Sequence, residues 1–432
     1  MEKHRNKNAM HPIVPKNVIP VIEAIRNRGG RPFVVGGAVR DTLLGRSVTT
    51  KDLDFEIYHL TLDSLIAVLS AFGRTDVVGR SFGVIKLWLK GLGEIDFSLP
   101  RRESKSGAGH RGFIVAPDPA MSPEEACARR DFTLNAILLD PFDSEIFDYN
   151  DGIKDLKNKI LRHTSHQFVE DPLRPLRAVQ LAARFGFSMH ADTASLCATM
   201  VEEARTLAKE RVFGEWQKWA VQGTRPSAGL RILAESGWGA VFPELAPGLN
   251  DRAGSLETRV DRARRIADRD MLDPTDTTVL LVAALCRDMD LAAGAAFAAR
   301  IGLPPKIHKR VTLLCTEARG LEPNRGFGEA STLRVAERLA PETVAMLCRL
   351  LEAEDSLEAV AARLLRIAAA LGVDRGPPSP LILGRDLAAL GVPPGPTMGA
   401  LLKAAFEAQL SGAFNTKEDA VRWITARISD AK

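Results

Sequence analysis

Three acidic side chains stand at alternate positions in KDLDFEIY, residues 51–58: Asp52, Asp54 and Glu56. Leu53, Phe55 and Ile57 fill the positions between, so the pattern predicts a β-strand over 51–58 with an apolar and an acidic face. Alternate residues of a strand lie about 7 Å apart on one face. Two aspartates so placed can hold a divalent cation through hard oxygen ligands, and without one each raises the pKa of the other. With magnesium, such a pair suits phosphoryl transfer, where it stabilises the attacking and the leaving oxygen. Asp96, in GEIDFSL, is the candidate third carboxylate, on a neighbouring strand. The other reading of the bare pattern is a solvent-facing strand with acidic decoration.

Upstream, VVGGAVRD (34–41) sets Gly36 and Gly37 between a strand, Phe33 to Val35, and a helix stopped by Gly45. Glycine lets the backbone approach a ligand closely, and a helix N-terminus offers free N–H groups to a phosphate. Arg40 is suited to grip a triphosphate bidentately. Taken alone, this is also what an ordinary strand–turn–helix junction looks like. The chain lacks GxxxxGK[ST], which excludes a P-loop, and lacks GxGxxG with a following acid, which argues against a dinucleotide fold. LPRRESKSGAGHRGF (99–113) gathers Arg101, Arg102, Lys105 and Arg111 among glycines and serines. This suits a mobile basic loop that closes over substrate by phosphate contacts, or else a plain solvated loop.

These residues must be positioned by a mixed α/β segment. Residues 15–30 have the spacing of an amphipathic helix ending at Gly29-Gly30, 61–73 are helical in pattern, and SFGVIKLWLKGLGEIDFSLP reads as a hairpin around Gly91 and Gly93. From about residue 150 the apolar spacing becomes helical and alanine-rich. The 432 residues carry 58 basic and 54 acidic side chains, a net charge of +4, so affinity for nucleic acid must come from local clusters. The five cysteines form no CxxC pair, which fits a reducing cytoplasm and argues against a zinc ribbon or a disulfide framework. No apolar run reaches membrane-spanning length, and the N-terminal stretch has no signal-peptide pattern.

GGAVRDTLLG followed by KDLDFEIY resembles the head of the nucleotidyltransferase superfamily, specifically the bacterial class II tRNA CCA-adding enzymes and their poly(A) polymerase relatives. The resemblance implies an α+β, polymerase-β-like head (1–145) on an extended all-α remainder: a neck (146–222) that reads the nucleotide base, a helical body (223–375) and a tRNA-binding tail (376–432). It implies Asp52 and Asp54 as the magnesium pair and as catalytic residues, with Asp96 assisting. Gly37 and Arg40 would meet the incoming nucleotide. ACARRDFTLNAILLD (126–140) resembles the RRDFTxNA signature, so Arg130 would contact the nucleotide while Asp131 and Asn135 organise the site behind it. In FDYNDGIKDLKNKILRH, Asp148, Gly152, Asp155 and Arg162 match the connector between head and neck.

EDPLRPLRAVQLAARFGF (170–187) places Asp171, Arg174 and Arg177 about one helical turn apart. In the family, the EDxxR acid and arginine present a Watson–Crick-like edge to the incoming base, which selects CTP or ATP without a template. Gln180 stands where the family often has a further arginine. KERVFGEWQKW (209–219) resembles the ERxxxE motif, in which Arg211 would bridge to glutamate and brace the neck. In LLVAALCRDMD (280–290), Arg287 replaces the histidine of a His-Asp phosphohydrolase motif, so no hydrolase activity is expected. The implied activity is attack of an RNA 3′-hydroxyl on the α-phosphate of ATP or CTP, which breaks the α–β phosphoanhydride bond and releases pyrophosphate, with magnesium as cofactor and the tRNA acceptor end and elbow as partner. Full CCA addition, addition of the terminal A and poly(A) tailing all remain open. A non-catalytic tRNA-binding protein is the reading from a different class.

Overall fold

The computed structural model describes residues 13–78, 83–105, 113–319, 321 and 326–430. It divides into two compact units: one runs up to Trp219 and includes Ala228–Val241, the other comprises Ala220–Ser227 and the chain from Phe242 onward. Among the described residues no helix is long and apolar enough to cross a membrane. All five cysteines are buried thiols.

The first unit is built on a mixed sheet. Its strands are β1 (Arg31–Val35), β2 (Asp54–Tyr58), β3 (Arg74–Val78), β4 (Val84–Leu89), β5 (Gly93–Ser98), β8 (Ile137–Leu139) and β9 (Ile146–Asp148), in the spatial order β3-β4-β5-β2-β1-β8-β9. β6 (Arg101–Lys105) and β7 (Phe113–Pro117) pair separately as an antiparallel ribbon. Each strand alternates because its side chains point to opposite faces. Val34, Phe55 and Ile57 join one core with α1 (Ile19–Asn27), α2 (Gly37–Leu43) and α3 (Leu62–Leu69). Phe33, Val35 and Tyr58 join a second core with Ala126 and Cys127 of α4 (Pro123–Ala128).

Two sequence expectations are corrected here. The strand expected over 51–58 begins only at Asp54, because Thr50–Asp52 forms a 3₁₀ turn closed by a capping box with Thr49. Asp52 therefore does not share a strand face with Asp54. The basic loop expected over 99–113 is in part a ladder: Arg101 to Lys105 pair residue by residue with Pro117 to Phe113, while Arg111 lies outside the described residues.

After the sheet come α5 (Gly152–Asn158), α6 (Arg174–Phe185), α7 (Ala191–Ala198) and α8 (Lys209–Gln222). Asp148 starts α5 by accepting the N–H groups of Gly152 and Ile153, each at 2.8 Å. Arg162 donates to Asp155 Oδ2 at 2.9 Å, and the Thr133 hydroxyl donates to the same oxygen at 2.8 Å. Gly152 sits tight against this junction: a Cβ there would lie 2.2 Å from the Thr133 carbonyl oxygen. A backbone atom cannot rotate away as a side chain can. Gly152→Ala is expected to destabilise the protein by about 2–3 kcal/mol through overpacking, read as a lower midpoint in urea unfolding.

The second unit is helical. Ser255–Arg269 and Pro274–Cys286 supply its core, with Leu280 to Cys286 buried. Arg287 donates to the Ala318 carbonyl and pairs with Glu354, and Asp288 is held by buried Arg259 at 2.7 Å. That aspartate is thus engaged by a guanidinium. Residues 382–424 form a further small apolar cluster around Leu387, Ala420 and Ile424.

Candidate active site

One face of β2 carries Tyr58, Glu56 and Asp54, and burial falls along it. Tyr58 is fully covered, Glu56 is 9% exposed and Asp54 opens to a cleft. The face leads from the apolar core under α4 to the cleft floor, so the acidic run is graded in environment. The Tyr58 hydroxyl donates to Glu56 Oε2 at 2.6 Å, and Arg130 Nη2 lies 3.1 Å from Glu56 Oε1. Burial, then the neighbouring glutamate, push the phenol's pKa far up, so it stays a donor. Losing this buried hydrogen bond to a charged acceptor costs about 2 kcal/mol, the loss of stability expected for Tyr58→Phe in urea unfolding.

Asp54 and Asp96 are direct partners across the parallel β2–β5 pair. Lys86 lies 3.3 Å from Asp96 and pairs also with Glu94. Desolvation at the cleft floor, and then the charge of Asp96, raise the Asp54 carboxyl to about 6; Arg130 and Lys86 oppose this. A second proton or a cation would relieve that strain. Gly36 holds a φ of +69°, and a Cβ there would sit 3.8 Å from Arg130 Nη1 and 3.9 Å from Asp54 Oδ2. The glycine that keeps the backbone close to the site is therefore Gly36. Gly37 is the first residue of α2, and its nearest neighbour is the Arg40 guanidinium.

The cleft has a volume of about 450 Å³ and is lined by Asp54, Glu56 and Asp96 and by a set of arginines that includes Arg101, Arg130, Arg174, Arg177 and Arg211. That volume is within the usual range for a small-molecule site, roughly 300–1,000 Å³. Behind it, Asp131 accepts the N–H of Phe132 at 2.7 Å and the Asn135 amide at 3.0 Å on one oxygen. Its other oxygen takes Arg177 Nε at 2.8 Å and Nη2 at 2.7 Å. Burial would raise this carboxyl, but the Arg177 charge and the Asn135 hydrogen bond outweigh it and hold the pKa at about 2.

The start of α6 supplies Asp171 and Arg174. Asp171 Oδ1 accepts the Leu173 N–H at 3.0 Å, and Arg211 Nη2 is 2.9 Å from Oδ2. Arg174 donates to the carbonyls of Gln167 at 3.0 Å and Arg129 at 2.6 Å. These bonds fix both groups at the wall of the cleft.

Several expected site residues sit elsewhere. Arg40 does not line the cleft: it is 5% exposed, donates to Asp41 Oδ1 and Asn135 Oδ1 at 2.8 Å each, and stacks on Phe185 at 4.6 Å. It clamps α2 to the segment after Asp131. Asp52 Oδ2 is spent on the Thr49 hydroxyl at 2.7 Å and the Thr49 N–H at 2.9 Å, bonds that lower its pKa, and Asp52 is absent from the cleft wall. Arg211 does not bridge to Glu215, whose partner is Lys218 at 2.8 Å; it holds Asp171. Arg101 reaches the cleft, whereas Arg102 pairs with Asp118. The side chain of Lys105 and the whole of Arg111 lie outside what the structure describes. Among the described residues no three carboxylate, imidazole or thiolate groups converge on one metal position. Asp54 and Asp96 nonetheless fit magnesium, a hard cation that is commonly bound by one or two carboxylates with phosphate and water completing the shell.

Residues 32–162 match the family model described as the poly A polymerase head domain, and residues 186–249 match the probable RNA and SrmB-binding site of polymerase A. Among curated proteins, the chain is 39% identical over 219 residues to the multifunctional CCA protein of Xanthomonas campestris pv. campestris, covering 49% of this chain and 51% of that one. It is 41% identical over 219 residues to the protein of the same name from Stenotrophomonas maltophilia, with the same coverages. The chain spans about half the length of the curated relatives it matches. Among solved structures, the CCA-adding enzyme of Bacillus stearothermophilus in complex with CTP superposes with a TM-score of 0.70 at 22% identity, covering 97% of this chain and 99% of that one. The CCA-adding enzyme of Thermotoga maritima complexed with tRNA-CCA gives 0.62 at 19% identity, covering 96% of each chain. At these identities the structural likeness establishes the fold.

Proposed function

We propose, from the premise that the chain belongs to the CCA-adding and poly(A) polymerase family, that it adds CCA, or its terminal A, to tRNA 3′ ends using CTP and ATP. The observation that carries this is the in-register pair Asp54–Asp96 on the floor of a cleft walled by guanidinium groups. Curated relatives named as CCA proteins, and structural neighbours in complex with CTP or tRNA, support it.

Asp54 and Asp96 would hold magnesium, with Asp52 offering its remaining oxygen from the adjoining turn. The ion would supply charge neutralisation at the α-phosphate and acidify the attacking hydroxyl. Arg130, held by Glu56, whose other oxygen takes the Tyr58 hydroxyl, donates to phosphate or ribose oxygens beside Asp54. Its Nε is buried and has no hydrogen-bond partner among the described residues. Arg174 donates to a ring nitrogen or carbonyl of the base, and Asp171 accepts from an exocyclic amine, an arrangement that fits the edges of cytosine and adenine. Arg177 keeps Asp131 charged and so keeps the loop that carries Arg130 in place. Catalysis on this view is positioning plus electrostatics.

The test is extension of three tRNAs, ending at the discriminator base, at C and at CC, with CTP, ATP or both, beside an unstructured RNA. Addition of C, C and A followed by a stop gives CCA synthesis. A on the CC end alone gives an A-adding specialist. Long A tails on the unstructured RNA would replace the tRNA reading by poly(A) polymerisation, and no extension of any RNA would overturn both.

A further inference from the structure

Phe185, the last residue of α6, is surrounded by three guanidiniums. Arg40, Arg46 and Arg184 place their Cζ atoms 4.6, 4.6 and 4.9 Å from its ring centroid. Asp41 takes Arg40 on one oxygen at 2.8 Å and Arg184 on the other at 2.9 Å. Arg46 is exposed, and among the described residues it enters no ion pair; its recorded side-chain contact is the ring. A guanidinium stacked on an aromatic face is held in orientation while its N–H edges stay free, the presentation that suits a phosphate.

The location is as informative as the charge. None of Phe185, Arg40, Arg46 or Arg184 lines the nucleotide cleft. The segment after Arg46 leads directly into the turn that ends at Asp52. Asp54, two residues on, lines the cleft. A transfer reaction needs its second substrate to reach these carboxylates from outside the nucleotide's own space. We propose that Arg46 and Arg184, stacked on Phe185, form the docking site for backbone phosphates near the 3′ end of the RNA that is extended. This rests on the reading of the cleft as a nucleotidyl-transfer site. Such contacts position the strand and carry no sequence preference.

The experiment is fluorescence anisotropy of labelled tRNA lacking its CCA end, bound to the full chain across a series of salt concentrations. Arg46→Ala is compared with Arg205→Ala, which removes a surface arginine paired with Glu202. Arg46→Ala should weaken RNA binding roughly tenfold at low salt and reduce the salt slope by about 1, equally for RNAs of different sequence. Affinity for ATP should stay at the wild-type level, and Phe185→Leu should reproduce part of the RNA defect by loosening the stack. Equal effects of Arg46→Ala and Arg205→Ala would overturn the proposal. So would an Arg46→Ala effect confined to inhibition by pyrophosphate, which would make the patch a small-anion site. If wild type extends tRNA while Arg46→Ala binds it normally, only this inference falls. If wild type extends no RNA, the transfer reading falls and this one with it.

Discussion

Asp54→Asn is expected to abolish nucleotide addition, by about a thousandfold or more in kcat, and at the same time to raise the protein's stability near neutral pH. The first effect follows from removing a charged oxygen at the centre of the proposed transfer site, where electrostatic stabilisation of the transition state would be concentrated. The second follows from the direction of its pKa. The folded state holds this carboxyl at about 6, above its ordinary 3.8, because burial and Asp96 penalise the charged form. A raised carboxyl pKa destabilises the fold as the pH rises through the folded value, and it does so fully above about 6. Below 3.8 both states are protonated and the penalty vanishes. The side chain is open on its cleft side, so solvent screening reduces the penalty to about 1 kcal/mol. The amide cannot ionise and escapes it. Thermal melts at pH 7.5 and pH 4 check this: Asp54→Asn should melt higher than wild type at the first and level with it at the second. A variant that is inactive and also less stable at pH 7.5 would indicate a structural role for Asp54.

Asp131→Ala has the opposite signature. It removes the carboxylate that binds Arg177 through two nitrogens and also holds Asn135 and the Phe132 N–H. Breaking a buried ion pair by deleting one partner costs about 3–5 kcal/mol, since the remaining polar groups are left unsatisfied. Arg177 is partly open to solvent, which places the expected loss near the lower end. The pH dependence carries the same information. With a folded pKa of about 2 against 3.8 unfolded, Asp131 contributes about 2 kcal/mol that is fully present above the unfolded value. That contribution is lost as the pH falls from 3.8 towards 2. Urea unfolding should therefore show wild type losing its advantage over Asp131→Ala across that interval. A constant difference between the two proteins down to pH 2 would contradict the assignment.

Much of the head was legible in residue types and spacing. Period-two alternation marked β2, the short apolar run before the Gly36-Gly37 turn marked β1, and glycines marked the β4–β5 hairpin and the ends of α1 and α2. What escaped is what local pattern does not encode. Asp52 looks like part of a strand because its neighbours alternate, yet Thr49 offers a capping hydroxyl that favours a 3₁₀ turn. Arg40 reads as a ligand group until the fold brings Asn135 and Phe185 to it from distant parts of the chain. Glu56 was visible as an acid, but its roles as the partner of Tyr58 and the anchor of Arg130 depend on a loop that only tertiary packing brings alongside. Arg211 likewise suits a same-helix partner by spacing, and the structure gives it Asp171 instead. In each case the residue's charge was readable and its partner was not.

The most direct test of the central claim is single-turnover extension of a tRNA ending in CC, with ATP and magnesium, by wild type and by Asp54→Asn and Asp96→Asn, with bound ATP measured separately. Rapid addition of one A by wild type is predicted, with both variants folded and still binding ATP but transferring about a thousandfold more slowly. Transfer by Asp54→Asn at the wild-type rate would contradict the claim that the paired carboxylates at the cleft floor are the site of the reaction.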